Sequence, residues 1–295
     1  MKPIYKLIFL ALPLLFASCI KDGFDKENCP GDFIIVPVVP DESGDVDFKE
    51  SYGKVIDANG NEINIETGSD KTVDLEDGTY TVVVVNGAKE DQVTIKGTTV
   101  TVVTNPDGTA GEPGKLIGGH TNITVGGNNG GGQETPKIEV PVEHQTRPLI
   151  LKINFEGENL ALLQSLKGLV DGIALSRDLN HGFKPIDGQD RHPASVSGSI
   201  SYAFSPNEEA ENSYQSMRTL LGIDGSGQQT LTLAVGYKGD IQQTYTFDIT
   251  RQLDGFHTED VTNPWVIEIT LRLGTDFQAT IEDWKAGPES WMDAH

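Results

Sequence analysis

Two cysteines, Cys19 and Cys29, and six histidines, His120, His144, His181, His192, His257 and His295, are the side chains best suited to nucleophilic or metal chemistry. None of the histidines belongs to an HExxH motif or to a pair at metal-ligand spacing. His181 and His192 share the segment HGFKPIDGQDRHP with Asp187 and Asp190, a polar cluster whose Gly and Pro mark it as a surface loop. Asp57 to Glu62 carries carboxylates and amides like a calcium loop, but the EF-hand spacing is absent and Asn59-Gly60 is a tight-turn dipeptide. No GxSxG nucleophile elbow occurs. The Gly-rich run at 126–132 lacks the lysine of a phosphate cradle and reads as a linker. Trp284 and Trp291, close together near the C-terminus, could stack on sugar rings if exposed. The sequence thus offers no catalytic residue, no metal ligand set and no cofactor motif.

Cys19 has a motif around it. Lys2 and Lys6 precede an apolar run from Leu7 to Phe16, which is shorter than the roughly 20 residues needed to span a bilayer and has the shape of a cleaved signal peptide. Ala17-Ser18 then stands directly before Cys19, with Phe16 where a leucine is usual. This resembles the bacterial lipobox, in which the thiol receives a diacylglycerol and the cysteine becomes the mature N-terminus. Residues 1–18 would be removed and Cys19 would be the lipidation site. Cys29 is then left without an intrachain partner, so stability must come from apolar cores rather than a disulfide framework.

The formal net charge is −22, and removal of Lys2 and Lys6 makes the mature chain two units more negative. Such a balance excludes phosphate neutralisation of DNA or RNA by clustered Lys and Arg. It also excludes electrostatic adhesion to anionic lipid, leaving acyl chains as the means of membrane attachment.

The elements that would position these residues follow a period of two. Residues 20–32 form a charged tether without an apolar face. Ile63 and Ile65, Tyr80 to Val84, Val93 and Ile95, and Val100 and Val102 then alternate with polar residues between turn signals, as in an antiparallel sandwich or barrel. Val82 to Val85 is apolar on both faces and predicts a central strand covered on both sides. Alternation returns at Ile138 to Val142 and Leu149 to Phe155, then at Ile200 to Phe204, Leu231 to Tyr237, Tyr245 to Ile249, and Trp265 to Leu273. Leucines at 160, 163 and 166 predict a helix over about 159–170, and residues 207–214 a second. The expected fold is all-β: a sandwich over 33–143 and another over 144–295 carrying one or two short helices.

Several of these stretches, in this order, resemble the fimbrial anchor and fimbrillin families of Bacteroidales, the subunits of type V pili. They are Cys19 followed by Cys29-Pro30 in an acidic tether, Leu75 to Tyr80, Leu116 to Gly119 leading to Ile123 to Val125, IEVPVEHQTRPLILKINF, and Pro264 to Leu273 followed by Ile281 to Trp284. The resemblance implies two transthyretin-like sandwiches, no enzyme activity, residence at the outer membrane through lipid on Cys19, and other fimbrial subunits as partners. In stalk subunits of that kind an arginine-specific protease frees an acceptor groove, which a neighbour's strand fills by β-augmentation. No arginine precedes Arg147 here, so such a cut could not release the first strand of the first domain. This implies an anchor or accessory subunit that keeps its lipid. The tail KAGPESWMDAH is polar and makes a poor donor strand; Thr275 to Ile281 is the better candidate. A glycan-binding surface lipoprotein of an uptake system is the alternative.

Overall fold

The structure, a computed structural model, describes residues 32–38, 52–67, 71–88, 91–126, 135–179, 196–208, 210–225, 227–258 and 261–289. Strands are numbered in chain order within this range. Cys19, Cys29, residues 181–192, Trp291 and His295 lie outside it.

Alternating sequences gave strands, and the strands pack as sandwiches. In the first, β1 (Asp32–Val38) lies between β4 (Thr72–Asp74) and β9 (Lys137–Pro141). It is antiparallel to β4, with Phe33 opposite Val73, and parallel to β9, with Ile35 opposite Ile138. The facing sheet runs β10 (Glu143–His144), β8 (Ile117–Val125), β5 (Gly78–Asn86), β2 (Tyr52–Asp57) and β3 (Glu62–Glu66). Phe33, Ile35, Val55, Val82, Val84 and Val140 are among the apolar side chains enclosed between the two sheets.

Asn59-Gly60 forms the predicted β2–β3 turn, where Gly60 takes φ +82°, a region open to glycine without steric cost. Gly119 answers a different need. A Cβ there would sit 2.0 Å from the carbonyl oxygen of Pro141, so the Leu116 to Gly119 stretch must lack a side chain where β8 meets the end of β9.

In the second sandwich one sheet runs β14 (Ser205–Pro206), β15 (Ser213–Leu220), β11 (Arg147–Gly157), β18 (Trp265–Leu273) and β19 (Ala279–Pro288). The other runs β17 (Ile241–Asp248), β16 (Thr230–Tyr237), β12 (Leu163–Asp178), β7 (Thr99–Val102) and β6 (Val93–Lys96), with β13 (Val196–Ala203) also paired to β12. β11 and β18 are parallel partners, and Leu149, Leu151, Ile153, Ile267, Ile269 and Leu271 point into the core.

The helix expected over 159–170 is corrected to strand. Only Leu160–Leu162 forms a 3-10 turn, after which β12 runs for 16 residues. Leucine spacing of three suits a helix, but Leu166, Gly168 and Val170 also satisfy a period of two, and Gly168 weakens a helix. Pairing with β16 on one side and β13 on the other settled the choice, because strand geometry satisfies the backbone twice over. The helix expected over 207–214 is corrected as well: its described part is a turn, with Asn212 at φ +58°, entering β15. The second short helical piece is the 3-10 turn Arg251–Leu253.

Val82 to Val85 is indeed central and two-sided. Val82 and Val84 enter the first core, while Val83 and Val85 enter the second. The β6–β7 hairpin belongs with the second sandwich too, since Thr101 on β7 pairs with Ser176 on β12 and Val93, Val100 and Val102 join the second core. A cut at residue 143 therefore does not separate the two cores; they are interlocked through β5, β6 and β7.

Candidate assembly site

Three features bear on how this chain could be held and joined: the N-terminal strand, the buried arginines at the junction, and the sheet edges.

β1 follows Cys19 closely in sequence and is built into the first core. Phe33 is 7% exposed and Ile35 fully buried, between β4 on one side and β9 on the other. Removing β1 would open a slot in that sheet and expose the apolar faces of Val73, Val140 and Val84 beneath it.

Arg147, the first arginine of the chain, opens β11 and is fully buried. Its Nε donates to the Asn263 carbonyl at 2.8 Å and a terminal amine donates to the Phe256 carbonyl at 2.7 Å. The guanidinium lies 5.0 Å from the Trp265 ring centroid and 5.6 Å from that of Phe256, within cation–π range. Arg177, on β12, donates to both the backbone and the side-chain oxygen of Gln145. Burial pulls its guanidinium down to about 9, with Glu143 working in the other direction, so it keeps its charge at neutral pH. Gln145 in turn donates to the Gly118 carbonyl at 2.8 Å, and Thr146 accepts from the Leu116 amide at 2.9 Å. The segment joining the two sandwiches is thus sewn to both by buried hydrogen bonds. A protease that must place an arginine in its specificity pocket has no access to either residue.

A second tie joins β2 and β3 to the β6–β7 hairpin. Lys54 is buried, pairs with Glu62 and donates to the Ile95 carbonyl at 3.1 Å. Glu62 also accepts from the Gly97 amide at 2.5 Å. Burial draws the Lys54 amine down, but the Glu62 hydrogen bond and Tyr52 outweigh it and the net shift is upward. The bonds from Lys54 and then Gly97 hold the Glu62 carboxyl below its ordinary range.

The other residues singled out in the sequence do not converge. Asp57 accepts from the Asn59 and Asn61 amides, each at 2.8 Å, and from the Asn61 side chain at 2.7 Å, so its oxygens close the hairpin turn. The Asn61 side-chain bond leads the downward shift of its carboxyl. His257 is buried and its Nε2 accepts from the Ile223 amide at 3.0 Å. His120 lies on β8 and His144 on β10, both partly exposed. Trp284 is half-buried, its ring edge-on to Phe247 with centroids 6.1 Å apart. Among the described residues no group of three or more His, Cys, Asp and Glu is placed to hold a metal, and no helix is long and apolar enough to cross a membrane. Thr275 to Ile281 is not a free strand: it forms the β18–β19 turn and the start of β19, with Leu271 opposite Ile281 and the Tyr245 hydroxyl bonded to the Phe277 carbonyl. In the sequence Arg147 stands out only as the first arginine of the chain. Its burial could have been suspected from the alternating run that begins directly after it.

No protein-family model and no curated protein matches the sequence. Solved structures do. The fimbrial anchor protein Mfa2 from Porphyromonas gingivalis aligns with TM-score 0.59 at 10% identity, covering 88% of this chain and 98% of that one. A candidate adhesin from Bacteroides ovatus aligns with TM-score 0.57 at 15% identity, covering 85% and 92%. A candidate polysaccharide-binding protein from Bacteroides thetaiotaomicron aligns with TM-score 0.51 at 10% identity, covering 87% and 97%. The chain shares their two-sandwich fold.

Proposed function

We propose that this protein is a lipoprotein held at the outer membrane through Cys19 and serves as a non-catalytic anchor or accessory subunit of a surface fibre, joined to neighbouring subunits by strand addition. One observation carries the reading: the strand nearest the lipid site, β1, is an integral part of the first core, and the first arginine after it is sealed in the junction. A chain whose N-terminal strand stays in place keeps its tie to the acyl chains. A stalk subunit must give that strand up. The fold shared with a fimbrial anchor supports the reading. The interlocked cores suit a part that bears load, since pulling on β1 loads β4 and β9 in shear along their ladders.

The test is Cys19→Ser in the native host. The expected outcome is loss of the protein from the outer-membrane fraction and release of fibres, while mass spectrometry of the wild type finds a tri-acyl or di-acyl mass on Cys19. A mature chain that begins near residue 50, or a Cys19→Ser protein that stays membrane-bound, would overturn the reading. The alternative, a glycan-binding surface lipoprotein, draws on the fold shared with a candidate polysaccharide-binding protein and on the partial exposure of Trp284. Retardation in a polysaccharide affinity gel that disappears in Trp284→Ala would favour it.

A further inference from the structure

We infer that β17 is the edge that accepts a strand from a neighbouring polypeptide; this deepens the proposed role by saying where the neighbour binds. Edge strands offer unpaired N–H and C=O groups, and soluble proteins blunt them by shortness, charge, proline, bulges or cover. Nearly every other edge among the described residues is blunted in one of these ways. β4, β10 and β14 have three residues or fewer. β3 is bounded by Glu62 and Glu66, and β9 ends in Pro141. β6 has four residues, and Lys54 covers its Ile95 carbonyl. The outer carbonyls of β13 are taken in turn: Ser199 by the Ala110 amide at 2.7 Å, Ser201 by Arg218 at 3.1 Å and Ala203 by the Ser216 hydroxyl at 2.8 Å. β19 carries a register shift that bulges it at Glu282, beside Asp283 and Lys285.

β17 has none of these devices. It runs eight residues in unbroken register with β16, and from Ile241 to Phe247 it contains no charge and no proline. No backbone bond reaches its outer side from the described residues.

The second observation concerns what lies across from that edge. On β19, Ala279, Ile281 and Trp284 pair with Leu273, Leu271 and Ile269, so they face inward with them. Yet Ile281 is 37% exposed and Trp284 only half-buried, whereas their partners on β18 are buried. β17 reaches Trp284 through Phe247 but leaves Ile281 outside the second core. A strand laid along β17 would complete both the ladder and the roof. Its chemistry follows: an extended segment with apolar residues at every second position, facing Ile281 and Trp284, and free of acids, because Asp240 and Asp248 stand at the two ends of β17 and Asp276 acts on Tyr245 at its middle. A formal charge of −22 on each chain disfavours a second copy of this chain as the source.

The experiment places a photo-crosslinking phenylalanine at Gln242, Thr244 or Thr246, one at a time, in the full-length lipoprotein in native outer membranes. Their side chains share the exposed face of the strand at every second position, so an added strand must register with them in steps of two residues. The expected result is cross-linked peptides from one segment of another polypeptide, with attachment points stepping by two and apolar residues between them. Cross-links confined to this chain or its copies, attachment points without that stepping, or no cross-link at all would each overturn the inference. Ile281→Lys, at an exposed position that leaves folding intact, is expected to lower the cross-link yield at least tenfold with the melting temperature unchanged; an unchanged yield overturns it. Loss of the cross-link while the protein remains acylated and membrane-bound sinks this inference alone, whereas failure of the Cys19→Ser test sinks the anchoring role.

Discussion

The two sandwiches spend the same alternating pattern differently. The first encloses 11 buried apolar residues among those described, seven of them valine, and depends on its N-terminal strand for two of the others. The second encloses 33, drawn from both halves of the chain, with the larger side chains Tyr202, Tyr237, Phe256 and Trp265 among them. The first is closed at its centre by β1; the second is well filled yet open at its β17 edge. A small core completed by the first described strand is suited to holding on. A large core with one unblunted edge is suited to being joined. The difference teaches that interchangeable β pattern does not mean interchangeable mechanical duty: what matters is which strand is central and which is last.

The comparison can be broken most directly by removing residues 1–38. Loss of β1 is expected to abolish the first sandwich's unfolding transition in calorimetry while the second survives, because the larger core does not use Phe33 or Ile35. A single transition lost as a whole would mean that the interlock through β5 makes the two sandwiches one cooperative unit.

Next in size are paired truncations. Ile35→Ala and Ile269→Ala each delete a fully buried side chain and should each cost about 2–5 kcal/mol. Urea unfolding followed by near-UV signals should show the first shifting only the early transition and the second only the late one.

Arg147→Met should cost about 2–3 kcal/mol, the penalty for leaving the Asn263 and Phe256 carbonyls buried without that donor. Its distinctive consequence is a wider gap between the two transitions, since the residue sits where the sandwiches are sewn together. Limited digestion with an arginine-specific protease should leave the wild type uncut at 147.

The smallest effect concerns Glu62. Its carboxyl titrates below the ordinary value in the folded chain, so the stability it confers is present above the unfolded value and fades as pH falls through the folded one. Lys54 shifts upward, so its contribution holds below its unfolded value and is lost only in strongly alkaline solution. Glu62→Gln should therefore lower stability near neutrality by less than about 1 kcal/mol, given the partial exposure of Glu62 and the Ile95 carbonyl that Lys54 keeps, and make the acid limb of the stability profile shallower. An acid limb as steep as that of the wild type would assign the pH dependence to Asp57, Asp107 and Asp248 instead, whose carboxyls are also held low by local hydrogen bonds.

Much of the architecture was legible in the residues alone. Strand identity came from alternation at Leu149 to Phe155 and Trp265 to Leu273, the β2–β3 hairpin from Asn59-Gly60, and the two-sided burial of β5 from four consecutive valines. These are local facts: period and turn chemistry act within a few residues. The stretch after Leu160 fits two periods at once, and the choice between helix and strand was made by β16 and β13, which pair with it from further along the chain. The role of Arg147 was out of reach for the same reason. Asn263 and Phe256 sit more than 100 positions away, and nothing near Arg147 in sequence announces them.

By itself, then, the sequence determined that the chain is predominantly β and where several of its turns fall, since each of these depends on neighbours along the chain. Only the tertiary structure decided which strands became edges, that the β6–β7 hairpin crosses to the second core, and which carbonyls hold the first arginine. Those outcomes rest on pairings between distant segments, whose free energy comes from burying apolar faces and satisfying backbone groups together, and no local pattern encodes a partner.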